Sequence, residues 1–168
     1  MSRTLPREWG LVAAALALFT DQGSKFGLLY GAGFLHMAPG QAISVLPFFN
    51  LVMVWNPGVS YGLFAASSAF GTAVLVLVSL AAVVGLGYWL WGMTSLSLGI
   101  GVGLVIGGAL GNLIDRLVYG RVADFFHFYG FGYDWYIFNI ADVAITLGAI
   151  AIIYDVLQPE HPPTSSEV

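Results

Sequence analysis

Four stretches of the chain are apolar over about the 20 residues that a helix needs to cross a bilayer, and they predict spans at 9–29, 70–91, 96–117 and 138–157. The second carries no ionisable group. Gly92-Met93-Thr94-Ser95 separates it from the third, so the two predict a helical hairpin. In the third, Gly99, Gly103, Gly107 and Gly111 recur every fourth residue and form a small-xxx-small ridge on which another helix can pack closely. Such a ridge is by itself a packing face without chemistry.

The segments between the spans have other patterns. Residues 30–69 are broken by Gly31, Gly33, Pro39, Gly40 and Pro47. The aromatic and β-branched run from Phe48 to Trp55 stops at the turn signal Asn56-Pro57-Gly58, which predicts short strands lying against a membrane surface. Residues 118–137 are too polar at their ends to span. Their many aromatics, from Tyr119 to Tyr136, suit a membrane–water interface. From 158 to 168, prolines and serines predict a flexible tail.

Composition makes the class explicit. Of 168 residues, 58% are hydrophobic and 8% charged, against about 25% charged in soluble domains, and the mean hydropathy is +0.86. This is an α-helical integral membrane protein with one membrane-embedded domain, residues 1–157. A net charge of −4 with five Lys and Arg excludes a nucleic-acid partner. The absence of cysteine excludes thiol catalysis, disulfides and cysteine-ligated zinc. Arg3, Arg7 and the apolar run to Phe19 imitate a secretory signal. Ala15-Leu16-Ala17, however, lies inside that run and apolar character resumes at Phe26, so a retained first span is expected. Four spans put both termini on one side, but charge alone does not orient them. Lys25 and Arg116 sit beside acidic residues and read as part of a site rather than as topology signals.

Ionisable residues at membrane depth are costly and are functional by default. Asp124 lies just beyond the third span and Asp142 one turn into the fourth, with Asn139 three residues earlier on the same face. If these spans pack antiparallel, the two carboxylates share one depth. Close carboxylates cannot both ionise easily, and a pair sharing one proton can act as base and acid on water and a carbonyl. The competing reading has Asp124 capping a helix and Asp142 paired with Arg116 or Lys25. Asp21 and Lys25, four apart, predict a structural ion pair. Asn112, Asp115 and Arg116 share a face; Arg116 is expected to anchor Asp115 and the loop after it, with Asn112 directed towards the site. Ser24 and Lys25 are helix neighbours and do not face each other. His36, His127 and His161 lack ligand spacing, and neither HExxH nor GxSxG occurs. A metal or other cofactor is not expected. Two rivals remain open at this point. One is a small proton-coupled transporter, which would favour polar groups through the whole depth and internal repeats. The other is a scaffold assembled on the glycine ridge.

Asp21-Gln22-Gly23-Ser24-Lys25, Asn56-Pro57-Gly58-Val59-Ser60-Tyr61-Gly62, Gly111-Asn112-Leu113-Ile114-Asp115-Arg116 with Gly120-Arg121-Val122-Ala123-Asp124-Phe125, and Phe138-Asn139-Ile140-Ala141-Asp142 occur in this order. Together they resemble the lipoprotein signal peptidases (signal peptidase II) from about residue 10 to 157. The resemblance implies a four-helix aspartyl endopeptidase of the bacterial inner membrane. Its termini would be cytoplasmic, its site near the periplasmic face, and 30–69 and 118–137 its periplasmic segments, the first a β-cradle. It implies cleavage of diacylglyceryl-modified prolipoproteins on the amino side of the lipidated cysteine, contact with membrane lipid, and sensitivity to globomycin-type inhibitors. A monomer is expected. The family's dyad carries over to Asp124 and Asp142. Its supporting residues carry over to Asp21, Asn56, Asn112, Arg116 and Asn139; Lys25 is grouped with them, and Asp115 is assigned a structural part. Gly23 and Val59-Ser60-Tyr61 depart from the family's usual side chains, which bears on pocket shape and not on the dyad.

Overall fold

The computed structural model describes residues 5–38, 40–58 and 69–158. Pro39, residues 59–62 of the second motif and the tail beyond Gln158 lie outside them. Among the described residues four long helices and four strands follow the order α1 (Pro6–Phe26), β1 (Ala42–Leu46), β2 (Phe49–Asn56), α2 (Ala69–Trp91), α3 (Leu96–Tyr119), β3 (Val122–Gly130), β4 (Tyr133–Asp134) and α4 (Ile140–Val156). By length and composition, α2 and α3 are each apolar enough to cross a membrane.

Helix α3 is the spine, packed against α1, α2 and α4. Its glycine ridge lets α1 approach to backbone contact. A Cβ on Gly99 would lie 2.6 Å from the Pro6 carbonyl oxygen, and one on Gly103 would overlap the backbone of Gly10. A second ridge, not anticipated, runs down another face: a Cβ on Gly108 would lie 2.5 Å from the Ala141 oxygen, and Gly101 meets Gly148 of α4 in the same way. Close backbone approach maximises dispersion contacts where no hydrophobic force distinguishes a side chain from lipid. Helix α2 is different in kind. Leu90 alone of its residues is buried, while Phe70, Leu77 and Tyr88 are largely exposed. The hairpin with α3 predicted from the short connection is present.

After α1 the chain makes a π-helical turn (Gly27–Gly31) and a 3₁₀ turn (Phe34–His36), then enters the strands. The run expected to be β-structured is β2. Residues 118–137, expected as an aromatic interfacial segment without strands, instead contribute β3 and β4, and the sheet has order β1-β2-β3-β4, all antiparallel. The sheet therefore joins two segments far apart in sequence. Gly120, at φ +72, ends α3 in the left-handed conformation that glycine tolerates, its N–H bonded to Arg116 O, and turns the chain into β3. Leu29, Phe34, Ala123 and Phe125 form a buried cluster beneath the sheet.

Candidate active site

The end of α3, the start of β3 and the start of α4 converge on one buried polar cluster. Pairing of β2 with β3 sets Val54 opposite Asp124 and Asn56 opposite Val122. The chain entering α4 docks on the other side of β3: the Phe125 and Phe126 amides donate to Phe138 O at 3.0 and 2.9 Å, and Phe138 N donates back to Phe126 O. That docking puts Asn139 beside Asp124. Asn139 is the N-cap of α4 rather than a residue on its face. Its side chain accepts from Asp142 N at 3.0 Å, while its own N–H donates to Asp142 Oδ2 at 3.2 Å, a reciprocal capping box.

The same asparagine holds the other carboxylate. Asn139 Nδ2 donates to Asp124 Oδ1 at 2.6 Å, and Asn56 Nδ2 donates to Asp124 Oδ2 at 3.1 Å. Asp142 Oδ1 accepts from Asn112 Nδ2 at 3.0 Å. Every oxygen of the two carboxylates thus takes one amide donor and keeps a lone pair for another partner. Among the described residues neither forms an ion pair with a cation. The pairing of Asp142 with Arg116 or Lys25 that competed at the level of sequence is absent. Asp124 is 2% exposed; burial first, and then the charge of Asp142, push its carboxyl up to about 7.

Beneath this pair lies another. Lys25 Nζ sits 2.8 Å from Asp21 Oδ2 and 2.8 Å from Asp115 Oδ2, and donates to Asn112 Oδ1 at 3.2 Å. All three charged side chains are at most 2% exposed, so a buried ammonium has each of its three donors engaged. An ammonium has no acceptor, so it dictates that Asn112 shows it oxygen and turns its NH₂ to Asp142. Arg116 does not anchor Asp115 as expected. It donates to Asn112 O at 3.3 Å and to Gly58 O at 3.1 Å. Adjacent residues on a helix diverge by about 100°, so Asp115 faces α1 while Arg116 faces the turn after β2. In that turn Gly58 N donates to Asn56 Oδ1 at 3.0 Å, so Arg116 braces the residue that holds Asp124.

Sequence reasoning missed one side chain. Gln22, quoted in the first motif but assigned nothing, places Nε2 3.0 Å from Asp115 Oδ1, 3.1 Å from Gly111 O and 3.2 Å from Asp21 Oδ2. Its place three residues before Lys25, close to that residue's helical face, was the available signal.

Two openings reach Asp142. One, about 370 Å³, lies among α2, α3 and α4, polar at Asn56, Asn112, Arg116 and Asp142 and apolar at Val78, Val105 and Ile145. The other, about 210 Å³, runs down the outside of α4 past Trp135, Phe138, Val143 and Leu147. An amphiphile with a polar bond to present and an apolar body to shelter matches both.

A family model described as Signal peptidase (SPase) II matches residues 13–158. The lipoprotein signal peptidase of Methylobacterium radiotolerans is 48% identical over 155 residues, covering 92% of this chain and 89% of its own. That of Methylorubrum extorquens is 44% identical over 159 residues, covering 95% and 91%. Two solved bacterial membrane enzymes, both determined by the in meso method, superimpose with TM-scores of 0.79 and 0.74 at 29% and 30% identity. They cover 95% and 89% of this chain and 93% and 92% of theirs.

Proposed function

Since the chain belongs to the signal peptidase II family, we propose that it removes signal peptides from prolipoproteins by an aspartyl mechanism in which Asp124 and Asp142 activate one water molecule. What supports the assignment above all is Asn139, which ties both carboxylates to one residue, its side chain on Asp124 and its backbone N–H on Asp142. Family membership selects a peptidase over the carrier and the scaffold.

In the proposed reaction the pair holds a single proton, resident on Asp124 at neutral pH in keeping with its raised pKa. Ionised Asp142 takes a proton from water as the water oxygen attacks the scissile carbonyl carbon, and Asp124 gives its proton to the carbonyl oxygen. Collapse of the tetrahedral diol breaks the C–N bond. The proton gained by Asp142 goes to the departing amine, and a diol hydroxyl returns one to Asp124. Asn56, Asn112 and Asn139 keep the oxygens aimed, and Arg116 braces Asn56. The bond cut is that on the amino side of a diacylglyceryl-cysteine. Each buried methylene of that group contributes about 0.8 kcal/mol to partitioning, so the substrate stays in the bilayer and approaches through the lateral openings.

All four helices span the inner membrane with cytoplasmic termini, and 1–157 is one peptidase domain followed by a cytoplasmic tail. The sheet lies at the periplasmic surface with the site beneath it. A monomer acts, and globomycin-type inhibitors occupy the same openings. The test is cleavage of a diacylglyceryl-prolipoprotein by detergent-purified enzyme, with the new N-terminus read by mass spectrometry. Asp124→Asn and Asp142→Asn should each lower the rate by roughly 10⁴-fold or more while the protein still folds and binds substrate. Substantial residual turnover by either would refute the dyad.

A further inference from the structure

The two buried carboxylates that flank Lys25 have a second engagement that the ion pairs do not explain. Asp115 Oδ2 accepts the backbone N–H of Ala123 at 3.1 Å, and Asp21 Oδ1 accepts that of Ala141 at 2.9 Å. Ala123 is the residue immediately before Asp124, and Ala141 immediately before Asp142. Each structural carboxylate therefore grips the chain one residue ahead of a dyad member. Ala123 and Ala141 are themselves fully enclosed, so neither grip is exchanged for water.

Two groups join the arms. Lys25 lies between Asp21 and Asp115. Gln22 Nε2 lies within hydrogen-bond distance of the same two carboxylates and of Gly111 O, next to Asn112, so its two N–H groups are shared among three oxygens. With three acceptors around it, the amide has one sensible orientation: flipping it would set Oε1 against two carboxylates and a carbonyl. Gly111 leaves room for this arrangement, because a Cβ there would collide with Asp21 Oδ2.

We propose that Asp21 and Asp115 are the arms of a buried caliper, with Gln22 and Lys25 as its cross-brace, and that it sets the separation at which Asp124 and Asp142 share a proton. Gln22 is thereby a positioning residue for the reaction, a role that rests on the dyad assigned above. The ion pairs alone fasten α1 to α3; the amide bridge fixes the spread of the two arms. The charged groups around the dyad are Asp21 and Lys25 from α1 and Asp115 and Arg116 from α3, while β2 contributes the neutral Asn56.

The experiment compares wild-type enzyme with Gln22→Met, which keeps length and loses the bridge, and Gln22→Asn, which keeps the amide and shortens its reach. Turnover of a diacylglyceryl-prolipoprotein is measured across pH and normalised to folded, inhibitor-binding enzyme. Displacement of reacting groups by about 1 Å costs about 10²-fold. The caliper therefore predicts that kcat per folded Gln22→Met enzyme falls by roughly 10- to 100-fold with KM little changed, that the limbs of the pH profile move, and that Gln22→Asn falls between. A Gln22→Met enzyme with wild-type kcat and pH profile overturns the caliper. So does a loss confined to the folded fraction, including failure of both variants to fold. Asp124→Asn and Asp142→Asn run alongside: if they retain activity, the dyad itself falls; if they are inactive while Gln22→Met is unaffected, only the caliper does.

Discussion

Two pairs of carboxylates occupy one polar cluster and differ in what stands between them. Asp21 and Asp115 bracket an ammonium. Asp124 and Asp142 are bridged by neutral amides, Asn139 touching both and Asn112 completing Asp142. Asp21, Asp115 and Asp124 are similarly buried, while Asp142 is partly exposed at the lateral openings, so burial alone does not set Asp124 apart from the first pair. A cation compensates buried charge and leaves the first pair as anchors for backbone N–H groups. Amides orient the second pair without neutralising it, an environment that suits the shared, transferable proton of the proposed mechanism. The group that stands between two acids, a cation in one case and amides in the other, is what separates the first pair from the proposed dyad.

The most drastic way to break the contrast is to remove the cation. Lys25→Met leaves Asp21 and Asp115 facing each other uncompensated, and loss of one partner of a buried pair costs about 3–5 kcal/mol. The expected outcome is a large drop in the melting temperature of the detergent-solubilised protein; a variant as stable as wild type would mean that Lys25 is not the structural counter-ion.

A second change sharpens the contrast from the other side. Asp124 titrates near its ordinary 3.8 when unfolded and at about 7 when folded. Below about pH 4 it is protonated in both states and adds no pH dependence. As pH rises from about 4 to 7 the unfolded chain releases the proton first, so the folded state loses stability over that window and then levels off. Asp124→Asn abolishes this dependence. The melting temperature of wild type should therefore fall relative to the variant between about pH 4 and 7; parallel curves would show that Asp124 ionises in its buried site as freely as in water.

The smallest expected effect concerns the ridge that brings α1, and with it Asp21 and Lys25, to α3. A methyl on Gly103 overlaps the backbone of Gly10, whereas one on Gly85 of α2 meets nothing within 4 Å. Gly103→Ala should cost about 1–3 kcal/mol and lower activity by displacing α1. Gly85→Ala should be neutral or slightly stabilising in the same thermal assay. Equal effects would mean that α1 does not depend on the ridge for its seat.

The helices were legible because hydropathy runs for the length of a membrane. Span bounds differ from helix ends by a few residues, mainly where Phe138 and Asn139 serve as strand bridge and cap instead of helix. The run that became β2 was legible from its composition. Strand β3 was not, since its partner lies some 70 residues upstream and its aromatic sequence suits an interface equally well. Asp124 and Asp142 stood out because charge is rare in such a chain. Partners were harder. Asp115 and Arg116 were paired by proximity in sequence, although helix neighbours diverge, and the bond to Ala123 N has no sequence signature because any residue supplies a backbone N–H. Gln22 was passed over because a neutral amide beside an Asp–Lys pair looks incidental until its three acceptors are seen.

The central claim, one proton shared by Asp124 and Asp142, is tested most directly by the pH dependence of kcat/KM for a diacylglyceryl-prolipoprotein. This quantity reports the free enzyme's essential acid and base. Both protonated at low pH or both ionised at high pH, the pair is inactive, so the profile should be bell-shaped with its alkaline limb near 7. A profile that stays flat through neutrality to about pH 9 would contradict the shared proton and the mechanism built on it.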